Sequence, residues 1–208
     1  MNTPCKTNPA NCTLGLPLGK ILDMMNTQKR NQFIVREVRA PGELALCADL
    51  DHSFQTEFVW QMDVREEAEG IGVRFRTVRL PRSMEVAYPR DSRQLRQSWA
   101  TRDCFLVACV DELILGYVNM RVNPAGTTGL VHDLVVHAPL RHRRIGSALL
   151  DQATRWARLK KLGQLSIEMQ TKNFPAISFV QKHGFGFCGY NDHYYPNQDI
   201  ALFFSKNL

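Results

Sequence analysis

The sequence predicts an α/β fold in which one mixed sheet is flanked by helices. From residue 33 onward, short runs with the alternation of strands are interspersed with segments that have the apolar periodicity of helices. Two apolar runs on either side of Asp111-Glu112 predict a hairpin. Residues 130–136 form an apolar strand that leads through a basic loop into a periodic helix. The predicted order is β-α-β-β-α-β-β-β-α-β-α-β-β.

The first half of the chain contains a strand, two helices and a long hairpin. The predicted elements are a strand over 33–38, a helix over 40–50, hairpin strands over 54–64 and 73–80, and a helix over 90–100. Pro41 favours a helix start, since proline fits the first helical turn. The hairpin turn, residues 65–72, carries the glutamates Glu66, Glu67 and Glu69. These could attract a cationic molecule or simply face solvent.

In the second half, strands and helices follow each other more densely. The predicted elements are a hairpin over 104–110 and 113–122, strands over 130–136 and 165–170, helices over 145–162 and 173–183, and closing strands over 185–189 and 200–205. The first of these helices has the strongest pattern, because side chains such as Leu149 and Trp156 repeat on one face. Asn173 fits the N-cap position of the second helix, and Gly184 fits its end.

Length and composition favour one domain. A chain of 208 residues that is 44% hydrophobic can bury a sizeable core, and we expect a single domain over residues 31–208. Residues 1–30, rich in Asn, Thr, Pro and Lys, are expected to form a flexible leader, with a helix over 18–25 as an option. No apolar run approaches the ~18–20 residues that a membrane-spanning helix needs, so no membrane partner is expected.

The cysteines indicate neither a metal site nor a redox motif. They stand at positions 5, 12, 47, 104, 109 and 188, and no two have CxxC spacing. We therefore expect no metal. Free thiols are typical of reducing compartments, so a cytoplasmic location is expected.

The positive charge is concentrated in one part of the chain. The net charge is +6, and residues 141–161 contain seven Lys or Arg against the single acid Asp151. This segment therefore carries as much net charge as the whole protein. Because the basic residues surround one loop and one helix without interleaved aromatics, a compact polyanion is a better partner than a nucleic acid.

The basic loop has the chemistry of a pyrophosphate site. Arg141, Arg143 and Arg144 precede a helix that opens with Gly146-Ser147-Ala148. The first amides of a helix have no acceptor within it, and small residues let an anion approach them. A loop of arginines that simply faces solvent is the alternative.

Two spaced motifs resemble one superfamily. The pattern Arg143-x-x-Gly146-x-Ala148 follows a Leu134-x-Val136 strand, and Asn173-x-x-Ala176-x-x-Phe179-x-x-Lys182-x-Gly184-Phe185 follows later. Together they resemble the signature of the GNAT superfamily of acetyl-CoA-dependent N-acetyltransferases over residues 100–206. A closer similarity is to streptothricin acetyltransferases, carried by Asp133 before Leu134, the Trp156-Ala157 pair, Ile167-Glu168-Met169-Gln170, Phe187-Cys188-Gly189-Tyr190 and the closing strand from Asp199.

The resemblance implies a GNAT fold and acetyl-CoA as cofactor. The sheet would be mixed, mostly antiparallel and splayed between the strands at 130–136 and 165–170. Residues 101–208 would bind acetyl-CoA, and residues 31–100 would form the acceptor side. The implied cofactor-binding residues are Leu134, Val135, Val136, Arg141, Arg143, Arg144, Ile145, Gly146, Ser147, Ala148 and Asn173, the last of which could equally serve only as an N-cap.

The candidate catalytic residues are Glu168, Asp133 and Tyr190. Acetyl transfer needs a neutral amine and a proton for the leaving thiolate. Glu168 could take the proton from the amine, or be a solvated carboxylate or a salt-bridge partner. Asp133 could bind a cationic substrate, act as a base through water, or pair with an arginine. The superfamily often has a tyrosine where this chain has Val180, and a valine cannot donate a proton. One of Tyr190, Tyr194 and Tyr195 could replace it, and Tyr190 is the candidate that we expect. The alternative is that these tyrosines pack or line the pocket and that water or the incoming ammonium protonates the thiolate.

These observations predict an enzyme that transfers acetyl from acetyl-CoA to a primary amine of a small cationic substrate by direct attack in a ternary complex. A protein or peptide N-acetyltransferase and a non-catalytic acyl-CoA-binding module are the alternatives. The hairpin over 54–80 is expected to set acceptor specificity. The oligomeric state is left open, a homodimer included.

Overall fold

The computed structural model describes residues 33–208, apart from the side chain of Ser98. Its strands and helices are β1 (Ile34–Glu37), α1 (Pro41–Ala48), β2 (Phe54–Glu67), β3 (Gly70–Val86), α2 (Ser98–Thr101), β4 (Cys104–Val110), β5 (Leu113–Val122), β6 (Thr128–Val136), α3 (Ile145–Leu159), β7 (Gln164–Gln170), α4 (Phe174–Lys182), β8 (Gly186–Asn191) and β9 (Ala201–Asn207). The leader over 1–30 and the optional helix over 18–25 lie outside the described residues. The domain boundary at residue 31 stays a prediction.

Seven strands form the main sheet. Their order is β1-β4-β5-β6-β7-β9-β8, and β2 and β3 form a separate two-stranded ribbon. All neighbours pair antiparallel except β6 and β7, which run parallel. The predicted mixed, mostly antiparallel sheet flanked by helices is therefore confirmed.

Two predicted elements differ from the structure. The hairpin is longer than predicted, because β2 and β3 pair as far as Glu67 and Gly70, inside the segment expected to form the turn. The helix predicted over 90–100 is a 3₁₀ helix over Ser92–Gln97 followed by the short α2. The polar sequence Ser-Arg-Gln-Leu-Arg-Gln buries only Leu95, so little packing favours a full α-helix there.

The core lies on both faces of the sheet. On one face, α3 buries Leu149, Leu150 and Ala153 against β4, β5 and β6, as its apolar stripe predicts. On the other face, α1 buries Leu44 and Cys47 in a cluster with residues of β4, β5 and β6. The sheet is thus covered on both sides, and the site must open at an edge or between strands.

The opening lies between β6 and β7. These strands pair only from Thr128 and Gln164 to Val131 and Ile167. Beyond that point β6 runs on to Val136 and β7 runs on to Gln170 without pairing each other. The splay predicted between the strands at 130–136 and 165–170 is confirmed.

Candidate active site

A cavity of about 390 Å³ opens at the splay between β6 and β7. We call it the cleft. Residues of β6, β7, the basic loop, the first turns of α3 and α4, and the segment 88–90 line it. One end, which we call the donor end, is surrounded by the basic loop and the start of α3. The other, which we call the acceptor end, contains the Glu168 carboxylate from β7.

The backbone of the basic loop is strained where it meets α3. His142 and Arg144 both have φ of 64°, in the left-handed region that favours glycine. Arg144 stands immediately before α3, and no side chain caps this helix. The amides of Ile145, Gly146 and Ser147 therefore have no acceptor within the helix. The positive end of the α3 helix dipole lies at these same free N–H donors.

Ala148 and Arg143 do not fit the predicted role. The Ala148 amide donates to the Arg144 carbonyl at 3.0 Å, so the first regular bond of α3 already occupies it. Neither residue lines the cleft. The predicted set of four amides is thereby reduced to three, because the fourth residue of a helix is the first with a carbonyl one turn behind it.

The remaining two arginines face the cleft in different ways. Arg141 donates from Nε to the Val136 carbonyl at 3.1 Å and from a terminal nitrogen to the Asp51 carbonyl at 3.3 Å. Burial lowers the pKa of Arg141. Arg144 lines the cleft and is exposed. Arg141 therefore holds the loop against β6, and Arg144 is the arginine free to meet an anion in solution.

The backbone of β6 presents polar groups to the cleft. The His137 amide donates to the Leu115 carbonyl of β5 at 2.9 Å. Because bonded and non-bonded pairs alternate along an antiparallel ladder, the N–H and C=O of Val136 point away from β5. Arg141 bonds the Val136 carbonyl on that side. Leu134, Val135 and Val136 all line the cleft, as predicted.

Helix α4 forms the wall opposite β6. The Asn173 side chain accepts from the Ala176 amide at 3.2 Å, so its N-cap role is confirmed, and Asn173 also lines the cleft. At the other end of α4, His183 Nε2 lies 3.1 Å from the Ser147 hydroxyl of α3. The two sequence motifs are thereby joined by a side-chain contact. Val180 is buried and lines the cleft.

The acceptor end contains two buried carboxylates on one face of the sheet. The Glu168 side chain is only 1% exposed, and the Tyr194 hydroxyl donates to its Oε2 at 2.8 Å. Asp133 accepts from Asn119 Nδ2 at 2.9 Å and from the Tyr88 hydroxyl. Glu168 lines the cleft and Asp133 does not. Of the three interpretations of Asp133, the structural carboxylate has the most contacts in its favour.

Arg90 bridges the two carboxylates, a contact that the sequence did not predict. Its guanidinium makes an ion pair with Glu168 Oε1, lies 3.7 Å from Asp133 Oδ1, and donates to the His132 carbonyl at 2.9 Å. Burial opposes the charge on Arg90, but the neighbouring Tyr88 and Asp133 outweigh it and raise the pKa of Arg90. No local pattern marks Arg90, since it begins a polar stretch that resembles a solvated helix.

The hydroxyls around this cluster are held protonated. Burial, followed by the charge of Asp133, raises the pKa of Tyr88 well above its ordinary value. Burial also raises the pKa of Tyr195, whose ring lies 5.5 Å from the Arg90 guanidinium carbon. The neutral Tyr88 phenol therefore acts as a hydrogen-bond donor to Asp133 and not as an anion.

A second hydrogen-bonded pair, His52 and Tyr117, lies near the same end, and His52 lines the cleft. His52 Nδ1 lies 2.6 Å from the Leu50 carbonyl, which can only accept, so Nδ1 carries the proton. His52 Nε2 then accepts from the Tyr117 hydroxyl at 2.9 Å. Burial lowers the pKa of His52, so the ring is neutral at neutral pH.

Tyr190 and the hairpin lie away from the cleft. Tyr190 is in β8, 40% exposed, with its ring 5.4 Å from that of Phe75. The expectation that it donates a proton to the thiolate is wrong, because Tyr190 does not line the cleft. Of the predicted hairpin, only Phe54 lines it. The acidic turn is exposed, so its glutamates do not form the acceptor pocket.

Within residues 33–208, no group of three or more His, Cys, Asp or Glu side chains could hold a metal ion. No helix in that range is long and apolar enough to cross a membrane.

Comparison with known proteins identifies the fold and the family. The model of the acetyltransferase (GNAT) family matches residues 75–185, more than half of the chain. A streptothricin acetyltransferase from Streptomyces lavendulae is 26% identical over 176 residues, which cover 82% of this chain and 90% of that protein.

Solved structures of similar fold include acetyltransferases. The crystal structure of a nourseothricin acetyltransferase is 26% identical and has a TM-score of 0.70, over 84% of this chain and 98% of that one. A Bacillus anthracis str. Ames protein, solved in complex with acetyl coenzyme A, is 18% identical and has a TM-score of 0.69, over 85% of this chain and 100% of that one. At 18% identity, the similarity to the Bacillus anthracis protein shows a shared fold.

Proposed function

The chain belongs to the acetyltransferase (GNAT) family and is an acetyl-CoA-dependent acetyltransferase, and from this premise we propose that it acetylates a primary amine of a small cationic antibiotic of the streptothricin type. The observation that carries the proposal is the Glu168 carboxylate, which lines the cleft and is linked through Arg90 to the buried Asp133 carboxylate. With Arg90, this cluster has a net charge of −1 and is largely removed from water. Such a site favours a positively charged acceptor.

The residues at the basic end suit acetyl-CoA. The free amides of Ile145, Gly146 and Ser147 and the guanidinium of Arg144 would hold the pyrophosphate. The Val136 N–H, which points toward the cleft, is the group that would bind a carbonyl of the pantetheine arm, since Arg141 already bonds the Val136 carbonyl. Asn173 lies in reach of the same arm at the start of α4. When bound, acetyl-CoA supplies the acetyl group as a thioester.

Glu168 is the proposed general base. A lysine-like amine has a pKa of about 10.4 and is almost wholly protonated at neutral pH, so a proton must leave before the nitrogen can attack. Glu168 lies on the cleft side of β7 and can accept that proton. Asp133 acts behind it as a positioning residue, because its oxygens hold Tyr88 and Asn119.

The proton balance of the reaction does not require a dedicated acid. The neutral amine attacks the thioester carbon, the C–S bond breaks, and the nitrogen loses one proton as the thiolate gains one. Val180 cannot supply a proton and Tyr190 lies outside the cleft, which leaves solvent, the incoming ammonium or the Tyr195 phenol that lines the cleft. A backbone N–H of β6 would stabilise the developing oxyanion.

The test is release of CoA thiol with three classes of acceptor: nourseothricin, simple alkylamines, and lysine-containing peptides. We expect thiol release with nourseothricin at a kcat/KM at least tenfold above that for the peptides. A higher value for the peptides would replace the proposal with a peptide acetyltransferase. Binding of CoA without thiol release above hydrolysis for any amine would leave only a binding module.

A further inference from the structure

Glu168 is closed off from solvent by Arg90. The Glu168 side chain is 1% exposed, with Tyr194 on Oε2 and the Arg90 guanidinium on Oε1. A base must meet the proton it removes at hydrogen-bond distance. In this arrangement the acceptor ammonium has no path to either oxygen. One of the two partners has to move before Glu168 can act.

Arg90 is the partner that can leave. It lies between β3 and the 3₁₀ helix, in a segment without regular secondary structure, and its side chain is 25% exposed. Tyr194 is more exposed, at 40%, but its ring packs edge-on against Tyr195 and Phe203, with centroids 5.1 Å and 5.7 Å away, and it carries no charge that an ammonium could replace. Arg90 is held by its ion pairs, by its hydrogen bond to the His132 carbonyl and by its contact with the Tyr195 ring. It can turn away from Glu168 without removing the Tyr194 ring contacts.

Departure of Arg90 has an electrostatic consequence that selects the acceptor. The two carboxylates would remain in a buried site with no counter-charge, which is strongly unfavourable. An ammonium brings the same unit charge as a guanidinium, so exchange of one for the other keeps the net charge of the site constant. A neutral or acidic molecule offers no such compensation.

We propose that Arg90 occupies the subsite of the acceptor ammonium in the free protein, and that a cationic acceptor binds by displacing it. This inference rests on the proposed function and specifies its acceptor subsite. Arg90 then acts as a specificity-determining residue, because only an acceptor that replaces its charge uncovers Glu168. Arg90 also competes with the acceptor for this subsite. The apparent affinity for the acceptor is therefore reduced according to the fraction of time that Arg90 occupies the subsite.

The experiment measures acceptor binding and turnover in Arg90→Gln, with CoA present for the binding measurements. Calorimetric titration with nourseothricin and with n-butylamine at pH 8.5 needs no catalysis, so it is informative even if the proposed reaction fails. We expect both cations to bind at least threefold more tightly to Arg90→Gln than to the wild type. Where turnover is seen, KM for the acceptor should fall while KM for acetyl-CoA stays constant.

A pH profile and two further variants separate this role from a structural one. The variant loses the positive charge beside Glu168, so the acidic limb of kcat/KM should move to higher pH in Arg90→Gln. Arg90→Lys keeps the charge and should leave that limb in place. Arg93→Gln is the matched control, because Arg93 lies on the same segment, is 87% exposed and pairs only with Asp91. It should match the wild type throughout.

Each contrary result overturns the inference. Weaker acceptor binding in Arg90→Gln, with Arg90→Lys restoring it, would make Arg90 a fixed contact of the acceptor. A fall in the melting temperature of Arg90→Gln with unchanged acceptor affinity in Arg90→Lys and Arg90→Gln would make it a structural ion pair. Tight binding with no thiol release from any amine would instead refute the proposed reaction and leave the subsite intact.

Discussion

Gly146 allows acetyl-CoA affinity to be separated from folding stability. It lies in the first turn of α3, and a Cβ added there would lie 3.6 Å from both Phe179 Cζ and Val136 Cγ2. These are ordinary van der Waals distances, so the methyl group of Gly146→Ala fits the protein. Alanine also restricts the unfolded chain, which stabilises a compatible site by about 0.4–1 kcal/mol. We expect the variant to melt at or above the wild-type temperature.

The same methyl group occupies space in the donor end of the cleft. All three residues that it would join or touch line that end. Overpacking of a closely fitted site costs about 1–3 kcal/mol, which corresponds to about a 5- to 150-fold change in affinity. We therefore expect KM for acetyl-CoA to rise by that factor in Gly146→Ala, with a smaller change in KM for the acceptor.

The assay pairs thermal melting with steady-state thiol release. Gly42→Ala is the matched control, because Gly42 lies in the first turn of α1, a Cβ there meets nothing within 4 Å, and it does not line the cleft. It should gain similar stability with unchanged kinetics. If Gly146→Ala folded well and retained the wild-type KM for acetyl-CoA, the start of α3 would not be the donor site.

Three further changes test the acceptor end and its surroundings. Glu168→Gln should lower kcat about 100-fold at pH 7 and far less at pH 10, where much of the amine is already neutral. Thiol release measured at both pH values checks this. Equal losses of kcat at the two pH values would show that Glu168 is not the base. Tyr190→Phe should keep the wild-type kcat, since Tyr190 lies outside the cleft; a tenfold loss would restore it as an acid. His52 has a pKa below its ordinary value because burial disfavours the charged ring. Its unfolded form therefore binds more protons, and stability falls as pH drops below about 6.5. His52→Asn should flatten the decline in melting temperature between pH 7.5 and 5.5, and an unchanged slope would contradict that contribution.

The donor end could be predicted because its signals are local. A strand, a basic loop and the small residues at the start of α3 follow one another within residues 130–148. Chain connectivity alone brings them together, and helix physics supplies the free amides. The same holds for Asn173, whose N-cap role depends only on the three residues that follow it.

The acceptor end could not be predicted in the same way. Arg90 acquires its role from Asp133 and Glu168, which lie on two different strands far along the chain. The alternation of apolar and polar residues along the hairpin predicts that one of its faces is buried. It does not show which layer of the fold that face packs against. Trp60 and Phe75 pack against Phe187 of β8, and Trp60 also contacts Phe204 of β9, so the hairpin covers the sheet and not the cleft.

The basic loop combines features that oppose folding of the free protein with features that favour an anion. His142 and Arg144 stand in the left-handed region at φ 64°, where a residue with a side chain costs roughly 1–2 kcal/mol relative to glycine. Arg141 and Arg144 add mutual repulsion, and three amides at the start of α3 lack protein acceptors. A bound polyanion relieves the repulsion and pairs the amides, and it stabilises the folded state by RT ln(1 + [L]/Kd). The Arg141 bonds to the Val136 and Asp51 carbonyls act in the same direction, because they hold the loop against the protein in this strained conformation.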